Sequence, residues 1–505
     1  MKPKRILIAN RGEIAVRLMR AVRELGHHSI FFFPSGIDVR LECSFADESY
    51  LLDSSTVYAP FLDEKTIIAH ALLHGVDAIH PGYGFLSESS SFARACGEAG
   101  ILFIGPDPAT LALTGDKKAS KDLALSLAIP TLPSSLPVVS ESELRTLLAS
   151  EALSFPIVLK ASSGGGGRGI HVVHDSASAI ARFPQIQQQV QAYFGSSAIF
   201  IEHYCAQARH VEVQVAGDGK GTYVVFPERD CTLQRRHQKI IEETPSSFIS
   251  EETRKALAEA SLKVAEQLTL LGLATVEFLV TPEQKFYFLE VNPRIQVEHG
   301  ITELLTGIDL AMLQMKLLLH GDEFLLKTLE IRAQGWAMEA RVTAENPQDN
   351  FAPSAGVISH YRRPSGPGVR VDDALYQGCE ITPYFDPLLA KVIVCADSRP
   401  AAISKLLFAM EEMQVGGVET NISLVQGLLK SDGFLAGEHS TAFVEEFLAL
   451  QPSLVLVSRF QHLLEHSYKS GVHDEGMIAQ VVAELYHKMN KGGELGVAID
   501  YELSF

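Results

Sequence analysis

The sequence predicts a protein of mixed α/β and α+β class, in which a parallel, doubly wound sheet precedes two regions built mostly of antiparallel strands. Strand and helix patterns alternate over about the first 114 residues, which is typical of a parallel sheet. After residue 155, strand patterns follow one another with few helices between them, which favours antiparallel pairing. The length of 505 residues suggests about three domains, and 46% hydrophobic residues suffice for buried cores.

The N-terminal region contains short apolar runs that are separated by helical patterns. Strands are predicted at residues 4–9, 28–33, 78–80 and 101–104, and helices at residues 13–25 and 66–73. Because parallel strands need crossover helices of this kind, residues 1–114 are predicted to form a Rossmann-like domain.

Proline and glycine mark the later boundaries of the chain. A proline-bearing loop at residues 131–137 precedes strands predicted at 155–160, 170–173, 199–202, 210–216, 222–227, 274–280 and 285–291. Beyond residue 335, short strands alternate with glycine and proline turns, and a helical pattern covers residues 478–489. We therefore predict further domains at residues 115–330 and 335–447, and residues 448–505 stay unassigned.

Charge and cysteine usage exclude several functional classes. Lys and Arg total 43 against 61 Asp and Glu, so the formal net charge of −18 argues against a nucleic-acid binder. The six cysteines form no CxxC pair, which is typical of a reduced cytoplasmic protein without a zinc site. No uncharged apolar stretch approaches about 18 residues, so neither a membrane span nor a signal peptide is predicted.

Four adjacent glycines at residues 164–167, with Arg168 and Gly169, form the first candidate site. Glycine lets backbone N–H groups approach an anion closely, and Lys160 would reach phosphates from the end of the preceding strand. The run lacks the GxxxxGK[ST] pattern of a Walker A loop. For the glycine run taken alone, a flexible hairpin tip without a ligand is the better explanation.

Two acids and an amide form the second candidate site. Glu277, Glu290 and Asn292 lie on predicted strands, and a turn near residues 281–284 would bring these strands together. Carboxylate and amide oxygens suit magnesium that carries the phosphates of a nucleotide. Taken alone, a pair of solvated acids on an exposed sheet face is the better explanation.

The segment NPRIQVEH, residues 292–299, alternates polar and apolar residues. A strand with this period would place Asn292, Arg294, Gln296 and Glu298 on one face. The planar fork of arginine suits bidentate capture of a small oxyanion, and a neighbouring carboxylate suits a general base.

A dense basic stretch, with Arg235, Arg236, His237 and Lys239, follows Cys231. Charge runs are usually solvated faces, and some of these arginines are expected to be structural. Cys231 has no adjacent histidine in the sequence, so we predict a buried neutral thiol rather than a nucleophile.

Together these segments resemble the biotin carboxylases of the ATP-grasp superfamily over about residues 4–447. The matching stretches, in chain order, are ILIANRGEIAVR, HPGYGFLSE, FIGP, GDK, SGGGGRGI, RHVEVQV, ERDCTLQRRHQK, FLEVNPRIQVEH and ITPYFDPLLAK. Nine such segments in one order are specific for this family. The resemblance implies an ATP-grasp domain at residues 115–330, with a mobile glycine-rich lid at about 132–204, and a C-terminal mixed β domain at 335–447.

The resemblance also implies a role for each matching residue. The groups that would contact ATP are Lys117, Lys160, Gly164, Gly165, Gly166, Gly167, Arg168, Gly169, Glu202, His203, Cys205, His210, Gln234 and His237. The groups that would hold magnesium or manganese are Glu277, Glu290 and Asn292. Bicarbonate would be bound by Lys239, Arg294, Gln296 and the backbone of Val297. Glu298 would deprotonate bicarbonate, and Arg341 would stabilise the biotin enolate.

The implied reaction is the first half-reaction of a biotin-dependent carboxylase, in which ATP converts bicarbonate to carboxyphosphate before biotin is carboxylated. The sequence contains no Ala-Met-Lys-Met type motif, so biotin is expected on a separate carrier protein. The other expected partners are a carboxyltransferase subunit and a second copy of this chain, with which it would form a homodimer. Acetyl-CoA carboxylase is the favoured complex, with propionyl-CoA or pyruvate carboxylase as alternatives.

The sequence departs from the family pattern at two places. Gly300 stands where the family usually has proline, which is expected to loosen a strand end, and residues 33–46 are unlike the usual segment. Asp386 and Lys391 match the C-terminal pattern. A catalytically silent ATP-binding scaffold stays open as an alternative, whereas RIQVEH and PYFDPLLAK disfavour a ligase that forms carbamoyl phosphate.

Overall fold

The computed structural model describes residues 2–52, 56–135, 137–150, 154–161, 170–194, 198–205, 207–321 and 324–450. The predicted glycine run at residues 164–169 and the helical pattern at residues 478–489 lie outside the described residues.

The N-terminal region is a parallel sheet with helices between its strands, as predicted. Its elements are β1 (Arg5–Ile8), α1 (Gly12–Glu24), β2 (His28–Pro34), α2 (Arg40–Phe45), β3 (Glu48–Leu52), α3 (Ala59–Leu62), α4 (Glu64–Leu73), β4 (Ala78–His80), α5 (Ser90–Glu98), β5 (Leu102–Phe103) and α6 (Pro108–Gly115). The strand order is β3-β2-β1-β4-β5. Strand β3 was not predicted, because this edge strand exposes Ser49 and Leu51 and lacks the continuous apolar run of the inner strands.

A three-stranded antiparallel sheet follows. The elements of this part are α7 (Lys117–Ser126), α8 (Glu141–Ala149), β6 (Ile157–Ala161), β7 (Ile170–Val173), α9 (Ser176–Phe194) and β8 (Ile199–His203). The order is β7-β6-β8, so the predicted pairing of the strands that flank the glycine run is confirmed. Leu144 of α8 and Phe183 of α9 pack with Leu159 and Ile201 in the core beneath this sheet.

The next elements build most of the larger sheet. They are β9 (Arg209–Asp218), β10 (Tyr223–Val225), β11 (Arg229–Arg235), β12 (Gln238–Thr244), α10 (Glu251–Gln267), β13 (Leu271–Val280), β14 (Phe286–Asn292), α11 (His299–Thr306) and α12 (Leu310–His320). Ser250 accepts a hydrogen bond from Thr253 N and thereby caps α10. Leu257 and Val264 of α10 pack against Val213 and Val276 of the sheet.

The C-terminal region is rich in short strands, as predicted. Its elements are β15 (Trp336–Thr343), β16 (Glu345–Asn346), β17 (Ala352–Pro353), β18 (Gly356–Val357), β19 (His360–Arg362), β20 (Val369–Asp373), β21 (Glu380–Ile381), β22 (Leu388–Ala396), α13 (Arg399–Glu412), β23 (Gln414–Gly416), α14 (Ile422–Lys430), α15 (Asp432–Leu435) and α16 (Phe443–Leu450).

One nine-stranded sheet runs through the middle and C-terminal regions. Its order is β14-β13-β9-β11-β12-β15-β22-β20, with β10 paired to β9. The β12–β15 pair crosses the boundary predicted between residues 330 and 335, and the domain limits themselves stay predictions. In the described part of the chain, no helix combines the length and apolar character that crossing a membrane requires.

Candidate active site

The two acids of the second candidate site face each other across a β-hairpin. Glu277 of β13 is the register partner of Glu290 of β14, and Thr281 N donates to Lys285 O at 2.8 Å at the turn that joins these strands. Asn292 Nδ2 donates to Glu277 Oε1 at 2.8 Å and to Glu290 Oε1 at 3.4 Å. The structure therefore brings together the acids and the amide that the sequence predicted as one site.

The two acids differ in how readily they ionise. Burial favours neutral Glu277, but the charge of Lys239 and the contact with His210 outweigh it and lower the pKa of Glu277 to about 2. Burial and the charge of Glu277 raise the pKa of Glu290, although Lys117 opposes them. The two acids supply hard carboxylate oxygens of the kind that a divalent cation prefers, whereas the amide oxygen of Asn292 accepts from Arg294 Nη2 at 3.2 Å.

The segment that follows β14 is not the strand that its alternation predicted. Strand β14 ends at Asn292, residues 293–298 form an irregular loop and turn, and α11 begins at His299. Pro293 has no N–H to continue the ladder, and His299 N donates to Gln296 O at 3.3 Å to begin the turn. Gly300 is thus the second residue of a helix, and the expectation of a loosened strand end is wrong.

The polar side chains of this loop nevertheless gather around Arg294. Its Nη2 donates to Asn292 Oδ1 at 3.2 Å and its Nη1 to Gln296 Oε1 at 3.2 Å. Its Nε donates to Glu88 Oε1 at 2.7 Å, which ties the guanidinium to the N-terminal region. These contacts fix a planar cation beside the acid pair.

Lys239 joins three carboxylates that come from different elements. Its Nζ lies 2.6 Å from Glu212 Oε2, 2.5 Å from Glu298 Oε1 and 3.5 Å from Glu277 Oε1. Although burial opposes a charged ammonium, the carboxylates of Glu212, Glu277 and Glu298 raise the pKa of Lys239 well above its usual value. The ammonium of Lys239 is therefore bound by carboxylates rather than solvated as part of a charged surface.

Glu298 lies between two cations and is completely buried. Arg341 Nη2 donates to Glu298 Oε2 at 3.0 Å, opposite the contact with Lys239. Burial favours the neutral acid, but Lys239 and Arg341 hold the pKa of Glu298 well below its usual range. Glu298 is therefore a carboxylate at neutral pH, the state that a general base needs.

Arg341 is held from two sides. Its Nε donates to Glu242 Oε1 at 2.6 Å, in addition to the contact of Nη2 with Glu298. Although burial opposes the charge, Glu242 and Glu298 raise the pKa of the guanidinium above its usual value.

Cationic groups also collect at the predicted nucleotide side of the site. Lys160 forms an ion pair with Glu202, and Lys121 Nζ lies 2.9 Å from Glu202 Oε1. Burial lowers the pKa of Lys117, and burial together with the charge of Lys160 lowers the pKa of His237 to about 4. Lys121 and Lys160 share the single carboxylate of Glu202, which leaves positive charge for an anionic ligand.

The remaining predicted residues of the nucleotide side have local partners. His210 Nε2 lies 2.8 Å from Glu277 Oε2, and Gln234 Nε2 lies 3.4 Å from His210 Nδ1. His203 Nε2 lies 2.9 Å from Ser154 Oγ, and burial raises the pKa of the Cys205 thiol. The predicted residues Gly164, Gly165, Gly166, Gly167, Arg168 and Gly169 are the ones that lie outside the described residues.

Val297 and Cys231 are neighbours of Glu298 with partners of their own. The carbonyl oxygen of Val297 accepts a hydrogen bond from Lys391 Nζ at 2.9 Å. Cys231 is buried with Sγ 3.8 Å from Glu298 Oε1, and burial raises the pKa of its thiol well above the usual value. The thiol is therefore neutral, in agreement with the prediction.

The sequence reasoning missed several residues that hold the site together. They are Glu88, Lys121, Glu212, Arg229 and Glu242. Arg229 Nε donates to Oε1 of the buried Glu212 at 2.6 Å. The Glu212 carboxylate, which binds Lys239, is therefore held in place. Glu88, Glu212 and Arg229 lie inside segments that carried the family resemblance, which was the available signal.

Comparison with known proteins agrees with this architecture. The profile described as "Biotin carboxylase, N-terminal domain" matches residues 2–111, "Carbamoyl-phosphate synthase L chain, ATP binding domain" matches residues 116–322, and "Biotin carboxylase C-terminal domain" matches residues 339–446. Biotin carboxylase 1 of Bacillus subtilis is 40% identical over 445 residues, which cover 88% of this chain and 98% of that protein.

Two further relatives extend the comparison. Pyruvate carboxylase of Staphylococcus aureus is 40% identical over 461 residues, which cover 89% of this chain but only 40% of that protein. This chain also superposes on a crystal structure from Hydrogenobacter thermophilus, that of the biotin carboxylase domain dimer of 2-oxoglutarate carboxylase with MgADP, ADP and bicarbonate. The TM-score is 0.84 and the identity 36%, over 90% of this chain and 98% of that one.

The fold, the charged site and these matches define an ATP-grasp ligase. Within that class, the chain belongs to the biotin carboxylase family. It is an enzyme that carboxylates biotin, and Lys239, Glu298 and Arg341 lie in one cluster of ion pairs.

Proposed function

We propose that the chain carboxylates biotin on a separate carrier protein, using ATP and bicarbonate, through carboxyphosphate. The observation that carries this proposal is the ionised, buried Glu298 between Lys239 and Arg341, beside the acid pair Glu277 and Glu290. The solved relative with MgADP and bicarbonate supports the choice of ligands.

The nucleotide side of the site would receive ATP. Lys117 and Lys160 would bind its phosphates, and Glu202, His203, Cys205, His210, Gln234 and His237 would surround the nucleoside. Glu277, Glu290 and Asn292 would hold Mg²⁺ or Mn²⁺, which neutralises phosphate charge when bound. Because phosphoryl transfer needs positioning and charge neutralisation, the site requires no nucleophilic side chain.

Bicarbonate would lie beside the guanidinium of Arg294, with Lys239, Gln296 and the backbone of Val297 around it. The carboxylate of Glu298 would accept the proton of bicarbonate, which makes the oxygen that attacks the γ-phosphate more nucleophilic. Arg341 would stabilise the negative charge that develops on the ureido oxygen of biotin.

The test is ATP cleavage by the purified chain, measured with bicarbonate and with or without free biotin. We expect biotin to stimulate a cleavage that requires bicarbonate, and Glu298→Gln to lower the stimulated rate roughly 100-fold or more. Glu228→Gln is the matched control, because Glu228 is also buried in an ion pair, with Arg254 at 2.9 Å, but its carboxylate makes no hydrogen bond or ion pair with a site residue in the described part of the chain. Binding of ATP without biotin-stimulated turnover would instead favour a nucleotide-binding scaffold.

We further propose that acetyl-CoA is the final acceptor and that the chain works as a homodimer with carrier and carboxyltransferase subunits. The 40% identity to biotin carboxylase 1 of Bacillus subtilis supports the biotin carboxylation step that precedes transfer to the acceptor. The dimeric Hydrogenobacter relative supports the homodimer. Reconstitution with carrier and transferase subunits, assayed with acetyl-CoA, propionyl-CoA, pyruvate and 2-oxoglutarate, tests the acceptor, and light scattering tests the dimer.

A further inference from the structure

Two buried carboxyl groups lie side by side next to Arg341. Glu242 of β12 is the register partner of Glu339 of β15, and both residues are 0% exposed. Directly opposed residues of antiparallel strands point to the same face of the sheet, with Cβ atoms about 5 Å apart. Arg341 follows Glu339 by two residues on β15 and therefore shares this face.

The two carboxyl groups differ in their partners. Glu242 Oε1 accepts a hydrogen bond from Arg341 Nε at 2.6 Å. Glu242 Oε2 and both oxygens of Glu339 have no hydrogen-bond partner among the described residues. Because an ionised carboxylate without a partner is very costly to bury, this pair retains a proton.

The groups around Glu339 decide where that proton lies. Lys391 of β22, Glu242 of β12, Arg341 of β15 and Glu298 before α11 all act on its carboxyl group. Burial, opposed by Lys391 and reinforced by Glu242, raises the pKa of Glu339 well above its usual value. Burial also raises the pKa of Glu242 to about 7, although Arg341 opposes it. Only Glu242 has a hydrogen-bonded cation, so the proton lies on Glu339.

We propose that Glu242 and Glu339 form a positioning pair for Arg341, in which Glu242 holds the guanidinium as a carboxylate and Glu339 stays protonated. With Glu339 neutral, Arg341 faces two carboxylates, Glu242 and Glu298, instead of three. One carboxylate fewer then competes for the guanidinium with an anion that forms in the site. This inference rests on the proposed role of Arg341 toward biotin.

The protonation state has a test that does not depend on turnover. The infrared difference spectrum between the wild-type chain and Glu339→Gln at pH 7.5 is expected to contain the carbonyl stretch of a protonated carboxyl group, present only in the wild type. A difference spectrum that shows a carboxylate instead would overturn the inference, whether or not the enzyme is active.

The positioning role is tested by kinetics. Glu242→Gln removes the charged partner of Arg341 Nε and is expected to lower biotin-stimulated ATP cleavage roughly 10- to 100-fold, while KM for ATP and the slow cleavage without biotin stay within about twofold. Glu339→Gln, the uncharged isostere, is expected to stay within about threefold of the wild type.

Glu243→Gln is the matched control on the same strand. Glu243 is also buried, but its carboxylate binds Arg399 Nε at 2.8 Å instead of Arg341. We expect this variant to keep biotin-stimulated turnover. If Glu242→Gln behaves like Glu243→Gln, or if Glu339→Gln loses as much turnover as Glu242→Gln, the positioning role is refuted. A wild-type chain that biotin does not stimulate would refute the proposed function instead, and the infrared result would still decide the protonation of Glu339.

Discussion

Lys391 offers a quantitative test of how the three regions of the chain are held around the site. Its ammonium is 0% exposed and lies 3.2 Å from Glu13 Oε2 and 3.6 Å from Asp372 Oδ2. It also donates to Val297 O at 2.9 Å, next to the proposed base. Glu13 belongs to the N-terminal region, Val297 to the middle region and Asp372 to the C-terminal region. The substitution Lys391→Met keeps the length of the side chain and removes its charge.

The expected loss follows from leaving the buried Glu13 without its cation, since Asp372 keeps Arg370 at 2.6 Å; breaking a buried pair in this way typically costs about 3–5 kcal/mol. The unfolding entropy of globular proteins is about 2.1 cal/mol/K per residue, so a chain of 505 residues has roughly 1 kcal/mol/K. The melting temperature of Lys391→Met should therefore fall by roughly 3–5 °C if the described regions unfold together.

Lys405→Met is the control. Lys405 Nζ donates to the carbonyl oxygens of Cys395 at 2.6 Å and Pro367 at 3.1 Å, and it has no carboxylate partner among the described residues. Because Lys405 is only partly buried and its partners are uncharged carbonyls, Met at this position leaves no buried charge unpaired, and this variant should lose less than Lys391→Met.

The assay is differential scanning fluorimetry of both variants at pH 7.5, with ATP cleavage measured in parallel. Lys391→Met should also lose turnover, because Val297 precedes Glu298. A melting temperature equal to that of Lys405→Met would refute the claim that this buried ion network stabilises the junction. An unchanged rate would refute the link between Lys391 and the loop of the base.

Three further outcomes are expected. Glu88→Gln removes the carboxylate that fixes Arg294 Nε at 2.7 Å, so KM for bicarbonate should rise roughly 3- to 10-fold with a smaller effect on kcat, measured by steady-state kinetics. Burial lowers the pKa of His439 to about 3 from 6.5, so the native state resists protonation of this imidazole. The free energy of unfolding should therefore fall by roughly 1.4 kcal/mol per pH unit as the pH drops from 6.5 to 3. His439→Leu should flatten this pH dependence, measured by urea titrations. A Cβ on Gly300 would lie 2.4 Å from Ile393 Cδ1, so Gly300→Ala should cost about 1–3 kcal/mol by thermal melting, and adding Ile393→Val should recover part of this loss.

The sequence predicted the parts of the fold and site that depend on local pattern. The alternation of strands and helices predicted the parallel sheet, and the turn near residues 281–284 predicted that Glu277 and Glu290 come together. The alternation of residues 292–299 failed as evidence for a strand, because Pro293 ends the ladder and the polar side chains gather through hydrogen bonds to Arg294 instead.

Local sequence patterns could not predict which residues the site residues contact. Lys239 meets carboxylates from β9, β13 and the loop before α11, and only the folded sheet brings these elements together. Glu242 is one acid among many in the sequence, and its contact with Arg341 joins residues 99 positions apart. Register across distant strands is set by tertiary packing, which single-sequence periodicity does not contain.

The continuity of the nine-stranded sheet limits where the chain can be divided into fragments that fold. Thr244 to Ile241 of β12 pair with Ala337 to Ala340 of β15, so the backbone ladder is shared by segments that match two different family profiles. A fragment that stops near residue 330 would expose the edge of β12 at residues 241–244, on the strand that carries Lys239 and Glu242. Unprotected edges of this kind recruit other strands, so we expect such a fragment to aggregate. Chimeras between relatives should therefore exchange the two segments together.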